Sequence, residues 1–495
     1  MACVVWQPLL LGFYLDDWSV SGSTQGKPFS LARFLFADST DPTRPGLVPL
    51  RFLFSSLFGD HPLLWQGALL LANCGAAMSI VAVSRVLTQR RTPMGRMITA
   101  AVGLCWLLLP WNAAARFWLT TLPYVTLIAV EGWFCTFLVR GWAKNQSHAV
   151  AAGALYLWMC LSYEAFYFQW IPLVLIGVAL WMAKRTALPP VVRSGIALIT
   201  AQGAAGLWNL YTKSKGFEAV KYVLPNWGQA VRQNVLNLAP AALQSVFEIS
   251  AEFAFFGVVV FAVWLIVYVR SLSRASDRPA GSASALLAGA SLLGGLVSVV
   301  VFSLGGRIVT ATGVETRSMI VFNFWIVIAA AILTTFTVER LDRVPRLIFA
   351  FALAGLGLCL AAGQVLRAGD WATAWTLEER ILAQAPIAEL NRTEQDAQIV
   401  FLNPLDVNGA PIFAASWDIN QAILLTYPVL RSRTFVIYSH WAGRMKWDGK
   451  QLSYENQPAF VTTDHVYLWR PSDGSFWRPT GPFVVNPDLT VRQLP

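Results

Sequence analysis

Charge is what this sequence has least of. Asp, Glu, Lys and Arg make up 13% of its 495 residues, about half the share found in soluble domains. With 56% hydrophobic residues and a mean hydropathy of +0.52, that scarcity excludes a soluble enzyme and a disordered chain. Histidine is equally sparse. His61, His148, His440 and His465 form no HExxH or comparable pattern, which argues against a transition-metal enzyme. Cys3, Cys74, Cys105, Cys135, Cys160 and Cys359 all lie in apolar runs and contain no CxxC pair. They read as small buried hydrophobes rather than a disulfide framework or a zinc site. Tandem repeats and inverted pairs of half-length apolar segments are also lacking, which weakens a transporter reading.

What is present is a series of long apolar runs. A spanning helix needs about 20 mostly apolar residues, and runs of this kind fall at about 63–84, 97–115, 118–139, 148–165, 166–183, 191–211, 248–269, 284–304, 318–338 and 346–366. Residues 1–15 have neither the charged start nor the A-x-A site of a cleaved signal and read as a short first span. The expected fold is mainly α: a polytopic helical membrane protein of about 11 spans with a C-terminal mixed α/β domain outside the bilayer. Residues 1–370, including an outer loop at 16–62, form the transmembrane unit, and 371–495 the second domain.

The charges that remain are segregated. Arg85, Arg90, Arg91, Arg96, Arg140, Lys144, Lys184, Arg185, Arg193, Arg270, Arg274, Arg278, Arg340, Arg343 and Arg346 fall in alternate connections, accompanied only by Asp277, Glu339 and Asp342. The positive-inside rule places these connections and the N-terminus on the cytoplasmic side, and the loops at 16–62, 212–247 and 305–317 and the C-terminal domain on the outer side. The rest of the chain holds 22 of the 37 basic residues against 24 of the 27 acidic ones. The basic pI is therefore a topology signal and gives no case for a nucleic-acid partner. Trp111, Trp118, Trp170, Trp208 and Trp371 sit at expected outer ends, as in interfacial aromatic belts.

After Asp370 the apolar runs shorten and Asp-Gly turns appear. Residues 371–392 have helical spacing, and 398–402, 434–438, 459–462 and 465–469 read as strands.

Ionisable groups at or inside spans are the candidates for chemistry. Asp16 and Asp17 are adjacent where the first span meets the outer surface, so one is expected to have a raised pKa and to accept a proton near neutrality; they can equally cap the next helix. Residues 27–36 read as an interfacial helix. Arg44, in a proline-rich turn, can grip an anionic headgroup or simply belong to a surface loop. Glu131 lies within a span, Glu164 near an outer end, and Glu248 and Glu252 at the entry to the 248–269 segment. Arg307 and Arg317 bracket an outer turn where they could bind phosphate or pyrophosphate together; the alternative is snorkelling to headgroups.

The order of a short first span, "FYLDDW", an interfacial helix, "RPGLVPLRFLFSSLFGDHPLLWQGALLLAN" and a second span resembles the N-terminal part of the GT-C superfamily of polytopic glycosyltransferases. Leu161-Ser162-Tyr163-Glu164 resembles the Ser-x-Glu end of a middle helix, and Glu315-Thr316-Arg317-Ser318 the arginine-bearing start of a late one, with Ser318 where an aromatic residue often follows. The resemblance is strongest over residues 10–90.

It implies a bacterial inner-membrane enzyme that takes a sugar from a polyprenyl-phosphate donor, reached from the bilayer, to a glycan, lipid or protein acceptor on the periplasmic side, with inversion. Asp16 or Asp17 would be the base, with Asp16 matching the leading acid of the family's pair. Arg317, with Arg307 or Arg44, would hold the donor phosphate, and Glu164 would contact the acceptor. No cofactor is assigned, although paired acids can bind Mg²⁺ or Mn²⁺. A lipid-linked glycan flippase or transporter and a non-catalytic membrane scaffold are the alternatives.

Overall fold

The computed structural model describes residues 11, 12, 14, 17, 44–59, 61–88, 93–215, 227–247, 259, 262, 266, 280–304, 314–339, 341, 343–384, 398–402, 405–413, 418–419, 422–423, 426, 433–437, 444–454, 461–462, 466–470, 475–486 and 490–494. Most of these are helical. In chain order the helices are α1 (Val48–Phe58), α2 (Pro62–Thr88), α3 (Pro93–Leu104), α4 (Ala113–Phe117), α5 (Leu122–Ala143), α6 (Ala149–Ser162), α7 (Trp170–Met182), α8 (Leu188–Ser214), α9 (Trp227–Phe247), α10 (Ala280–Leu304), α11 (Ile320–Val338) and α12 (Arg343–Gln384).

Among the described residues six helical stretches are long and apolar enough to cross a membrane: Pro62–Thr88, Leu119–Ala143, Glu164–Met182, Ala283–Leu304, Thr316–Val338 and Arg346–Gln384. A seventh arises if the pair Pro93–Leu108 and Pro110–Phe117, bent by 60°, counts as one broken span. The bend has a local cause. Pro110 offers no backbone N–H and disfavours helical backbone in the residue before it, and Leu109 is extended at φ −66°, ψ 109°. The chain after the break turns inward, and Arg116 is buried.

Three other expectations meet a different outcome. The 148–165 run forms only the 14-residue α6, about 21 Å at 1.5 Å per residue and short of the ~30 Å hydrocarbon thickness. The segment 212–247, expected as an outer loop, contains a 21-residue helix, α9, whose Asn234 donates to Ser303 Oγ on α10 at 2.9 Å. Trp118 and Trp371 are buried inside the protein. The first span apart from Leu11, Gly12 and Tyr14, the helix at 27–36 and nearly all of 248–269, with Glu248 and Glu252, lie outside the described residues.

Contacts between connections define two ends of the bundle. At one, Arg185 donates to Leu87 O at 2.9 Å and Thr186 to Trp142 O at 2.7 Å, joining the ends of α2, α5 and α7. At the other lie the starts of α2, α5, α7 and α11 and the end of α6, where the candidate site forms. Cys74, Cys105, Cys135, Cys160 and Cys359 are unpaired thiols.

α12 runs for 42 residues without a break across position 370, so the expected division between bundle and C-terminal domain falls inside a helix. Its second half carries the strand region. β1 (Gln398–Leu402) lies parallel to both β4 (Arg433–Ile437) and β8 (Val466–Arg470), and β8 pairs antiparallel with β9 (Ser475–Trp477). A second, antiparallel sheet has the order β11 (Val491–Gln493), β10 (Phe483–Val485), β5 (Met445–Trp447), β6 (Gln451–Tyr454), β7 (Val461–Thr462).

β8 uses the two-residue period of a strand. Val466 and Leu468 enter a core shared with Val400, Met445, Leu452 and Phe483 between the sheets, while Tyr467 and Trp469 join the main helical core. The hairpin of β2 (Leu405–Val407) and β3 (Ala410–Ile412) packs on α12, where the Phe413 N–H donates to Glu378 Oε1 at 3.2 Å.

Candidate functional site

Pro45 at the first position of the turn before α1 leaves Arg44 outside helical backbone, at φ −125°, ψ 59°. That turn lies hard against the end of α6. Trp158 Nε1 donates to Gly46 O at 3.1 Å, and a Cβ on residue 46 would sit 2.9 Å from Trp158 O and collide with Ser162 Oγ, so glycine is required for the approach. The residues that follow Ser162 are Tyr163 and Glu164, and Arg44 meets both. Its Nε donates to Glu164 Oε2 at 2.9 Å and its Nη2 to Oε1 at 2.6 Å, the two-pronged geometry a planar guanidinium offers a carboxylate. Nη1 reaches Tyr124 OH at 3.3 Å, and the guanidinium carbon lies 5.8 Å from the centre of the Tyr163 ring.

Tyr163 links this cluster to the start of α11. It packs on Tyr124 with ring centres 4.3 Å apart, and its hydroxyl donates to Arg317 O at 3.3 Å. The Arg317 guanidinium stands 5.0 Å from the centre of the Trp118 ring, a cation–π contact. The next residues after Trp118 hold Asp17: Leu119 N–H donates to Oδ2 at 3.2 Å, and Thr120 N–H and Oγ1 each donate to Oδ1 at 2.6 Å. Tyr14 N–H adds a fourth donor, to Oδ2, at 2.9 Å. Burial pushes the Asp17 carboxyl up to about 7 against the pull of these donors. Its oxygens are fully engaged with the protein's own groups, so Asp17 ties the N-terminal segment to the start of α5.

Four of the six residues singled out from sequence, Asp17, Arg44, Glu164 and Arg317, thus belong to one connected cluster. Asp16 and Arg307 lie outside the described residues. Arg44, assigned to phosphate, and Glu164, assigned to the acceptor, bind each other, and the Asp17 carboxylate accepts four hydrogen bonds. Glu131 lies apart, buried in α5, with neither oxygen accepting a hydrogen bond from a described residue.

Arg51, Thr120, Tyr124 and Tyr163 join the cluster in addition to the residues marked by the sequence. Arg51 lies on α1, seven residues after Arg44, and its Nη2 donates to Tyr124 OH at 3.4 Å. Tyr163 sits inside the Ser-Tyr-Glu fragment, but nothing local marks Tyr124 or Thr120. Arg51, Trp65, Leu119, Thr120 and Pro123 line a narrow crevice beside the Asp17 anchor.

Arg44 pairs with Glu164, Arg51 reaches Tyr124 OH, and Arg317 contacts Tyr163 and Trp118, so the three guanidinium groups are linked through the rings of Trp118, Tyr124 and Tyr163. Guanidinium groups are the side chains that hold anionic groups such as phosphate. Among the described residues no group of three or more His, Cys, Asp or Glu could hold a metal ion. The chain matches no protein-family model, and no curated protein matches it.

Proposed function

We propose that the chain is a membrane glycosyltransferase that moves a sugar from a polyprenyl-phosphate donor to a glycan, lipid or protein acceptor at the end of the bundle where Arg44, Glu164 and Arg317 meet. The observation that carries this reading is the convergence of Arg317 with the Asp17 anchor through Trp118, and with Arg44 through Tyr163. Transfer needs a carboxylate base at the acceptor hydroxyl and fixed cations at the departing phosphate. Asp17 is held by four donors, so the base is assigned to its sequence neighbour Asp16. Arg317, with Arg307, holds the donor phosphate, and Glu164 orients the Arg44 guanidinium beside it.

The reading places the chain in a bacterial inner membrane, N-terminus inside, with this site and the C-terminal domain on the periplasmic side; the basic connections at the opposite end of the bundle support that orientation. A second reading, a non-catalytic scaffold presenting the C-terminal domain, is favoured by the saturated Asp17 and the mutually neutralised Arg44 and Glu164.

The deciding experiment uses the purified full chain in lipid with a panel of polyprenyl-phosphate sugars, measuring donor binding and sugar release separately. Binding and release that both disappear in Arg317→Ala support the transferase. A protein that binds no member of the panel, and whose Asp16→Asn and Arg317→Ala variants behave as wild type in every assay, is a scaffold.

A further inference from the structure

A second cationic site lies at the other end of α5, far from the cluster just described. A concave groove of about 280 Å³ is lined by Trp133, Phe137, Arg140, Gly141, Lys144 and His148, among others. Trp133, Phe137, Arg140 and Lys144 recur at intervals of three or four residues, the spacing of one helical face. Trp133 and Phe137 are 50% and 44% exposed on a helix whose other side is packed into the bundle, so they face the surroundings of a membrane-spanning segment.

From Trp133 to Lys144 the face rises about 16 Å at 1.5 Å per residue, close to the depth of one leaflet of a ~30 Å hydrocarbon layer. The aromatic residues occupy the deeper part and the two cations the shallow end. The side chains of Arg140 and Lys144 make no hydrogen bond or ion pair with another described residue, and no carboxylate among the described residues lines the groove.

The wall opposite α5 is built to stay where it is. His148 adopts left-handed backbone at φ 44°, and its ring packs against Phe137 at 4.4 Å between centres. Residue 141 must be glycine for this, because a Cβ there would stand 2.6 Å from His148 Cδ2. Gln146 N–H donates to Gly141 O at 2.8 Å, drawing the loop back onto the helix. Ala149 opens α6 directly after His148 with no side-chain cap, so its first backbone N–H groups add partial positive charge at the rim.

We propose that this groove binds an anionic phospholipid, its phosphate between Arg140 and Lys144 and an acyl chain along Phe137 and Trp133. The cavity suits a headgroup better than a whole lipid, and the cation-over-aromatic order matches a lipid's own sequence of phosphate and hydrocarbon. The site is separate from the proposed catalytic cluster and holds whether or not the chain transfers sugar.

The test is native mass spectrometry of the full chain released from micelles containing equal amounts of phosphatidylglycerol and phosphatidylcholine. Wild type is expected to retain phosphatidylglycerol selectively. Arg140→Gln with Lys144→Gln should lower that retention roughly tenfold or more, and Phe137→Ala should lower it with the charges intact, while Arg193→Gln, which removes an exposed charge elsewhere, should leave it unchanged. Millimolar inorganic phosphate should not displace the lipid. Undiminished retention in the double variant, equal loss in Arg193→Gln, or displacement by phosphate alone each overturns the proposal, the last in favour of a phosphate site that does not read lipid.

Discussion

Arg44 and Glu164 meet in a two-pronged ion pair across 120 residues of chain, with prongs of 2.9 and 2.6 Å. The pair closes the turn before α1 onto the end of α6, and its side chains are 24% and 12% exposed, dry enough for the interaction to exceed that of a surface pair. A double-mutant cycle of Arg44→Ala and Glu164→Ala should show a coupling of about 1–2 kcal/mol, read from thermal unfolding in detergent. Additive single effects would mean that the two side chains do not depend on each other.

Asp17→Asn should destabilise the chain even if Asp17 never touches a substrate. The amide presents one acceptor oxygen where the carboxylate presents two, so its NH₂ faces N–H or O–H donors and at least one of them loses its partner, at about 1–3 kcal/mol per buried group. A melting temperature equal to wild type would contradict the four-donor anchor.

The same carboxyl predicts a pH dependence. Its pKa is raised from 3.8 to about 7 on folding, chiefly by burial, so between those values the folded chain binds more protons than the unfolded one. Stability relative to Asp17→Asn should therefore fall as pH rises from about 4 to about 7 and stay level above. A difference that is level over that interval and declines only as pH drops below about 4 would show that the four donors outweigh burial.

Asp16→Asn and Arg317→Ala should separate two functions. Loss of a base should lower sugar transfer by ~10²–10⁴ while donor binding survives. Loss of Arg317 should weaken donor binding about 10- to 100-fold and transfer at least as much. Arg317→Lys should recover part of the binding, because charge and the contact with Trp118 are kept. Wild-type transfer in Asp16→Asn would remove it as the base.

Topology and the C-terminal domain can be tested together. A cysteine at position 472 should be labelled from outside sealed cells and one at 276 protected. Truncation after residue 384 should insert and retain donor binding, with acceptor use impaired. Truncation after 370 should be much less stable, because α12 continues to Gln384 and Trp371 O accepts the Tyr14 hydroxyl at 2.6 Å.

Apolar helices at least 18 residues long were legible because a run near 20 residues is a local property, and the bilayer imposes it residue by residue. β1, β4 and β8 were legible for the same reason, as short β-branched and aromatic runs between turns, whereas three-residue strands such as β5 and β10 carry too few residues to show a period. Position 370, where polarity changes along the sequence, falls inside α12 because a change in polarity along a helix does not interrupt its hydrogen bonds.

The sequence by itself determined that the chain is rich in long apolar helices, that its basic residues are segregated, and which charged groups were worth attention. Only the tertiary structure decided what those groups do to one another. Arg44 could have faced a phosphate but faces Glu164, and Asp17 could have been open to an acceptor but receives donors from Leu119 and Thr120 more than 100 residues away. Hydropathy and spacing are sums over neighbours in the chain. A charge's partner depends on which helix ends pack together, and that follows from contacts such as Gly46 on Trp158 that no local pattern contains.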